Sequence, residues 1–291
     1  MKKNLFTLMA LALVVMVASC NKDEESATPK SPYEIGNTGK VVSTMNELCY
    51  SDGSPNTLVQ NITLHYAGDF SKINSLDYSE GILDRLMKDY FFTIEGNTIV
   101  DGDGAIAYSD IKLNDKGRIV HLEDYTQPNR SRGITHTTFD IQYNSEDRMT
   151  QAKFTAIDTT GGIVYTWIYD LLWKGGLLQS IHAQHNGEAY SAISFTYGSQ
   201  PNVFCQPTYA ALDNLNMVSI NGMRAFVAAG YFGKGSDKFM VSSTQVHFED
   251  SETLENTYSV ELDSEGKISA LHKEYQDGRH YDMTFTYSDI K

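Results

Sequence analysis

The feature that most constrains the fold is a nine-residue pattern that occurs three times without gaps. It runs apolar, polar, apolar, Asn or Asp, two polar residues, Gly or Asp, a basic residue, apolar. Asn and Asp tolerate a left-handed backbone and hydrogen-bond to the turn that follows, while Gly adopts positive φ at no steric cost. Each copy therefore predicts a strand end, a tight turn and the start of the next strand. The copies span residues 111–119, 141–149 and 260–268.

The residues that flank these turns alternate between apolar and polar side chains. In residues 281–288 the odd positions are Tyr, Met, Phe and Tyr, and the even positions are Asp, Thr, Thr and Ser; residues 139–143 and 193–197 repeat the scheme. A period of two places apolar side chains on one face of a half-buried antiparallel strand. The sequence predicts an all-β fold: an antiparallel meander of hairpin repeats forming a curved sheet, half-barrel or barrel. A membrane-spanning barrel, with its apolar stripe toward lipid, is the alternative.

Helix is expected to be a minor component of the fold. Residues 79–92 place Leu83, Leu86 and Met87 at helical spacing, which predicts one short helix. A second short helix is predicted over residues 208–215, directly after a proline.

The N-terminal segment has the layout of an export signal. Lys2 and Lys3 precede a mostly apolar run over residues 5–17, which is too short for a comfortable membrane span. Two small residues then precede Cys20, as in the bacterial lipoprotein signal, where the cysteine is acylated and becomes the new N-terminus. We therefore predict a lipoprotein signal peptide over residues 1–19 and lipidation of Cys20.

The residues after this cysteine predict the destination and the domain organisation. The run Asn-Lys-Asp-Glu-Glu over residues 21–25 resembles the acidic export tag of outer-membrane lipoproteins, which predicts an outer-membrane lipoprotein facing the cell exterior. Residues 20–39 are polar with two prolines and predict a flexible tether. Residues 40–291 then form a single all-β domain.

The charge of the chain excludes one class of partner. The formal net charge is −14, and loss of Lys2 and Lys3 with the signal makes it −16. Such a surface repels phosphate backbones, so the sequence predicts no nucleic-acid partner. The expected attachment to the membrane is through the N-terminal lipid.

Three features together carry a resemblance to a known family: the lipid-attachment signal with its acidic tag, the hairpin units, and the segment Gly-Tyr-Phe-Gly-Lys-Gly-Ser at 230–236. Over residues 40–291 the chain resembles an uncharacterised family of Bacteroidota surface lipoproteins, domain of unknown function 4595, with a porin-like β fold. The resemblance implies a curved antiparallel sheet and residence in the cell envelope. It carries over no catalytic residues.

One strand offers a candidate ligand platform. Tyr165, Trp167 and Tyr169 alternate, and Trp173 follows. Aromatic faces stack on sugar rings and anchor protein interfaces, although Tyr and Trp also fill the interiors of β-barrels. Both interpretations stay open, and residues 222–236 are a candidate mobile loop beside such a platform.

Metal ligands are suggested only by incomplete patterns. Asp101 and Asp103, with Asp110 further on, resemble the middle of a Ca²⁺ loop but lack its first and last ligands, so a hairpin turn is the prediction. His182 and His185 lie three apart in a predicted strand, which points them to opposite faces. The sequence therefore predicts no metal and no cofactor.

Cys49 and Cys205 are the two cysteines left after lipidation, and they are either a disulfide or two free thiols. No nucleophile elbow, zinc-protease helix or nucleotide-binding loop occurs in the sequence. The leading hypothesis is a non-catalytic surface lipoprotein that binds a glycan or an outer-membrane protein. The alternatives are a structural or assembly component of the envelope without a small ligand, and a hydrolase with a spatially formed carboxylate pair.

Overall fold

The computed structural model describes residues 40–51, 58–66, 73–82, 85–95, 98–101, 105–125, 133–203, 226–227 and 230–289. These residues contain sixteen β-strands. The first eight are β1 (Lys40–Ser51), β2 (Leu58–Tyr66), β3 (Ile73–Ile82), β4 (Arg85–Glu95), β5 (Thr98–Asp101), β6 (Ile106–Leu113), β7 (Ile119–Asp124) and β8 (Ile134–Tyr143). The second eight are β9 (Met149–Asp158), β10 (Ile163–Lys174), β11 (Leu177–His185), β12 (Glu188–Pro201), β13 (Lys238–His247), β14 (Thr253–Leu262), β15 (Ile268–Tyr275) and β16 (Arg279–Asp289).

The sheet is one antiparallel meander that closes on itself. Each strand pairs with its neighbours in sequence, and β1 pairs with β16 as well as with β2. The predicted all-β antiparallel meander is confirmed, and its shape is a closed barrel. Closure removes both sheet edges, so the last strand has a partner for its outer backbone groups.

The helix predicted over residues 79–92 is wrong. Residues 79–82 belong to β3 and residues 85–92 to β4, and the two strands face each other with Tyr78 opposite Tyr90 and Ser79 opposite Asp89. The strand neighbours on either side supply backbone partners that outweigh a local helical spacing, because strand formation depends on tertiary context. The helix predicted over 208–215 lies outside the described residues. Among the described residues, Phe226 and Val227 alone are helical. Among the described residues, no helix is long and apolar enough to cross a membrane.

The predicted alternation of apolar and polar side chains is confirmed in β16. Tyr281, Met283 and Phe285 are buried, whereas Thr284 and Thr286 between them are exposed. In a closed barrel only inward side chains have other strands to pack against, so the buried face is the interior. Apolar residues of β1, β2 and β5 to β16 form one core there.

The outward face of the barrel is polar in β8 and β16, whereas β10 exposes Val164 and Leu172. The residues that alternate with the core positions include Thr138, Asp140 and Gln142 in β8 and Thr284 and Thr286 in β16. A bilayer-spanning barrel has the reverse arrangement, with an apolar band outward and polar groups toward the lumen. The apolar stripe that the sequence shows therefore builds the interior of the barrel.

The three copies of the nine-residue pattern form the same turn. The side-chain oxygen of the Asn or Asp accepts hydrogen bonds from the backbone N–H groups two and four residues later, at 2.9–3.0 Å. The Gly or Asp position has positive φ in all three: 73° at Gly117, 68° at Asp147 and 84° at Gly266. The pattern therefore specifies the turns that join β6 to β7, β8 to β9 and β14 to β15.

Four even-numbered strands each carry, near their end, an aromatic residue that hydrogen-bonds to the preceding strand. Its hydroxyl or indole N–H donates to a backbone carbonyl at the start of the preceding strand, at 2.7–2.8 Å. The donor–acceptor pairs are Tyr143 to Ile119, Trp173 to Met149, Tyr197 to Leu178, and Tyr287 to Ile268. These hydrogen bonds connect neighbouring hairpins at this end of the barrel.

The connection between β12 and β13 covers the same end of the barrel. Residues 230–237, which we call the cap segment, run across three successive turns with backbone hydrogen bonds of 2.8–3.0 Å. Tyr231 accepts from Ile119, Lys234 donates to Asp147, and Asp237 donates to Gly176. We call this the capped end, and the opposite end of the strands the open end.

The cap segment passes so close to the turns that one position excludes a side chain. Gly233 has a φ of 81°, and a Cβ placed there would lie 2.5 Å from the backbone oxygen of Asp147. The neighbouring Tyr231 and Phe232 are buried in the core. Residues 230–236 are thus packed against the turns and are not part of a mobile loop, whereas residues 222–225 and 228–229 of the loop predicted over 222–236 lie outside the described residues.

The basic residue of the nine-residue pattern is buried in all three copies: Arg118, Arg148 and Lys267 are at most 5% exposed. Arg118 donates through Nε to Asp147 Oδ2 at 2.8 Å and through Nη1 to the carbonyl of Gly230 at 3.0 Å. The Arg118–Asp147 ion pair therefore joins the first two turns beneath the cap segment. Arg148 lies over the ring of Trp173, 5.2 Å from its centroid.

Candidate functional site

Aromatic and histidine rings gather at the open end, around the turn that joins β11 to β12. They come from the start of β10, the end of β11, the start of β12 and the end of β13. All are partly buried. We call them the rim cluster: Tyr165, Trp167, His185, Tyr190 and His247.

Trp167 lies at the centre of the rim cluster. His185 is directly opposite it on β11, and their rings stack at 4.4 Å between centroids. Tyr190 meets the indole edge-on at 4.8 Å and contacts His247 at 5.3 Å. Tyr165 contacts the ring of His185 at 5.9 Å. The rings form one continuous aromatic surface at the mouth of the barrel.

The polar atoms of the rim cluster have no protein partners in the described part of the chain. The hydroxyls of Tyr165 and Tyr190, the indole Nε1 of Trp167 and the ring nitrogens of His185 and His247 make no hydrogen bond within those ranges. Tyr O–H and Trp N–H groups find a partner when they are fully buried, whereas at a wet surface they are free for solvent or ligand. The rim cluster thus combines apolar ring area with unused donors and acceptors.

The four aromatic residues that the sequence singled out as a platform do not act as one surface. Tyr165 and Trp167 belong to the rim cluster, and Tyr169 beside them is buried in the core. Trp173 is at the capped end, six residues and about 20 Å further along the strand, where its indole is bonded to the carbonyl of Met149. All four residues lie on β10, which runs the full height of the barrel, so aromatic residues near its two ends have different neighbours.

Sequence reasoning did not find His185, Tyr190 or His247 as companions of Trp167. They lie on three other strands, and only the strand register brings them together. From the sequence, His185 was considered only as a possible metal ligand together with His182, and no metal was predicted there. The prediction that these two histidines point to opposite faces is confirmed, because His182 is exposed while His185 packs inside the rim cluster.

The weak calcium candidates are distributed over separate elements. Asp101 ends β5 and Asp103 lies outside the described residues. Asp110, in β6, is instead grouped with His121 and Glu123 of β7, and one ligand atom from each lies within 4.8 Å of the others. His-Leu-Glu in a strand places the two polar side chains on one face, which is the signal that the sequence contained.

The remaining predicted site residues fall partly outside the described residues. Cys20 and Cys205 both lie there, and Cys49 is in β1. Lipidation and the disulfide therefore stay predictions.

Comparison with known proteins identifies the fold. No protein-family model matches the chain, and no curated protein matches it. A crystal structure of a porin-like protein from Bacteroides uniformis superposes with a TM-score of 0.58 at 14% identity, covering 85% of this chain and 98% of that one. A porin-like protein from Bacteroides vulgatus gives a TM-score of 0.54 at 10% identity, covering 86% of this chain and 99% of that one.

The chain has a porin-like β fold. At these identities the likeness concerns the fold alone, and it agrees with the porin-like architecture implied by the resemblance to the domain of unknown function 4595 family. Membership of that family is not confirmed, since no family model matches.

Proposed function

We propose that this protein is a non-catalytic lipoprotein of the cell envelope, anchored through Cys20 at the outer surface, which binds a glycan at the rim cluster. The observation that carries the proposal is the rim cluster itself: five partly buried rings whose polar atoms have no partner in the described ranges. The porin-like neighbours support the compartment only.

The chemistry of the rim cluster suits a sugar. A pyranose ring presents C–H groups that pack on aromatic rings and hydroxyls that exchange hydrogen bonds at its edge. Trp167 and Tyr190 supply apolar ring area, and the hydroxyl of Tyr190 with the ring nitrogens of His185 and His247 supplies hydrogen-bonding groups beside it. Among the described residues, no Arg or Lys side chain lies over a ring of the rim cluster, which favours a neutral over an anionic ligand.

The location supports binding from solution. The capped end is covered by the cap segment, whereas the β11–β12 turn at the open end is exposed at Asn186, Gly187 and Glu188. A lipid tether at the N-terminus would leave the domain free to present this end to material outside the cell.

The direct test is a broad glycan array probed with residues 21–291, beside the Trp167→Ala variant. We expect selective binding by the parent protein and loss of that binding in the variant, because the indole is the centre of the rim cluster. Trp167→Phe is the milder variant, and it should retain part of the binding since it keeps an aromatic ring.

Trp173→Phe is the matched control, because it changes a tryptophan of the same strand at the other end of the barrel. It should bind as the parent does. Absence of any glycan bound by the parent protein, or equal binding by parent and Trp167→Ala, would refute the glycan assignment and shift weight to a protein partner, to be sought by crosslinking on intact cells.

The anchor is tested separately. Cys20→Ala should release the protein from the membrane fraction, because the cysteine thiol is the proposed site of acylation. Retention of the variant in the detergent phase after fractionation would contradict the lipoprotein assignment and leave the rim cluster proposal untouched.

A further inference from the structure

A second group of side chains lies on the outward face of the barrel, on the side of the sheet opposite the core. His121 and Glu123 alternate with the buried Leu122 in β7, so both point outward. Asp110 joins them from β6, where a register irregularity between Ser109 and Lys112 gives it a φ of 47°. One ligand atom from each of Asp110, His121 and Glu123 lies within 4.8 Å of the others.

The histidine is oriented by a carboxylate on its far side. Asp140, directly opposite on β8, lies 2.7 Å from Nδ1 of His121. That contact orients the ring so that Nε2 faces Oδ2 of Asp110, at 3.4 Å. A carboxylate behind a histidine that faces other ligands is the usual arrangement around protein-bound metals.

The glutamate is oriented by two hydroxyl groups. Its Oε2 accepts hydrogen bonds from the hydroxyls of Ser109 and Tyr125, both at 2.8 Å. The other oxygen, Oε1, meets no donor within the described ranges, so it is available to an ion. Tyr125 is itself held by stacking on His136 at 4.8 Å.

Hydrogen-bond donors favour the charged form of both carboxyl groups. The hydrogen bond and charge of Lys112 hold the pKa of Asp110 below its ordinary value. Burial raises the pKa of Glu123, but the hydrogen bonds from Ser109 and Tyr125 outweigh it and the net pKa is lowered.

We infer that Asp110, His121 and Glu123 form a binding site for a divalent transition-metal ion such as Zn²⁺. One imidazole nitrogen with two carboxylate oxygens suits such ions better than Ca²⁺ or Mg²⁺, which take oxygen ligands alone. An ion held at about 2.1 Å from each ligand brings them within about 4 Å of one another, a small closure for surface side chains. Three protein ligands leave one position of a tetrahedral ion open to water.

Lys112 competes with the metal for the same carboxylate. Its Nζ lies 2.7 Å from Oδ2 of Asp110 and is solvent-exposed, so an entering ion displaces it. Removal of this lysine charge should therefore strengthen metal binding, an effect that a purely structural ion pair would not produce.

The test is isothermal titration of ZnCl₂ into the tag-free full chain in detergent, after treatment with chelator. We expect about one ion per chain, and His121→Ala should weaken the affinity at least about tenfold. Glu123→Gln should weaken it too, while its amide oxygen keeps an acceptor for Ser109 and Tyr125, so this variant carries the test if His121→Ala fails to fold. Lys112→Met should bind several times more tightly.

The chain offers a matched control in His272. Its Nδ1 also lies 2.7 Å from an aspartate, Asp282, but a single carboxylate oxygen, from Glu261, lies near its Nε2 at 3.6 Å. His272→Ala should bind zinc as the parent does. No zinc bound by the parent, unchanged affinity in His121→Ala, or loss of binding in His272→Ala instead would overturn the site.

Discussion

The two ends of this barrel are built from the same strands and the same kinds of residue, yet these residues make different contacts at each end. At the capped end, Trp173 donates its indole N–H to Met149 and lies beneath Arg148. At the open end, Trp167 stacks on His185 and its N–H has no partner among the described residues. Trp173 is therefore part of a structural contact between strands, whereas Trp167 is part of the aromatic surface of the rim cluster.

The same contrast holds for the tyrosines. Near the capped end, the hydroxyls of Tyr143, Tyr197 and Tyr287 each bond to a carbonyl of the preceding strand. Burial raises the pKa of Tyr143 and of Tyr197, so these groups stay neutral donors. At the open end, Tyr165 and Tyr190 keep their hydroxyls unused within the described ranges. The state of the polar atom, and not the residue type, separates structural from candidate ligand-binding aromatics.

The largest effect is expected at the ion pair of the capped end. Asp147→Ala leaves the Arg118 guanidinium buried without its charge partner, and we expect a loss of about 3–5 kcal/mol in the free energy of unfolding, measured with urea. Asp250→Ala, in an exposed turn of the open end, removes one hydrogen bond to Glu252 and should cost about 1 kcal/mol. Equal losses of unfolding free energy in the two variants would contradict the expectation that the ion pair of the capped end contributes more to stability.

A smaller effect separates the two tryptophans. Both are partly buried, so both truncations remove packing, but Trp173→Ala also removes an indole hydrogen bond and a cation–π contact. Trp173→Ala should therefore destabilise by about 1–2 kcal/mol more than Trp167→Ala in the same urea experiment. A larger loss in Trp167→Ala would place Trp167 with the structural residues and weaken its assignment to a ligand surface.

The smallest effect concerns the turns. Asp158, in the β9–β10 turn of the open end, accepts hydrogen bonds from Thr160 and Gly162, and these lower its pKa. A lowered pKa stabilises the native state above the unfolded-state pKa, and that contribution disappears as the pH falls through the folded-state value. At the capped end, Asn144 makes the equivalent turn without a titrating group.

Between about pH 5 and about pH 3, the urea midpoint of the parent protein should therefore fall slightly more than that of Asp158→Asn, which keeps the acceptor oxygen. The midpoints are measured for both proteins at each pH. Parallel curves would mean that the carboxylate of Asp158 contributes nothing to stability in this range.

Local signals predicted much of the fold. The nine-residue pattern located three turns, because an Asx side chain and a positive-φ position are local requirements of a tight turn. The period of two in residues 281–288 located the buried face of β16. The same local reasoning was wrong for residues 79–92, where helical spacing was overruled by pairing of β3 with β4.

The candidate sites depended on contacts between strands, which no local pattern contains. Trp167 meets His185 because β10 and β11 pair in one register, and His121 meets Asp140 because β7 and β8 do. The burial of Arg118 and Arg148 also could not be predicted, since a basic residue after a turn is ordinarily exposed. Their environment comes from a segment about a hundred residues later in the chain.

The sequence by itself determined the strand character, the turn positions and which face of each strand is apolar, because each of these follows from the preferences of a few neighbouring residues. The tertiary structure decided that the sheet closes, that the apolar face is the interior, and which aromatic residues are structural. These depend on the pairing of β1 with β16 and on the path of the cap segment, and the atoms that make such contacts are far apart in the chain.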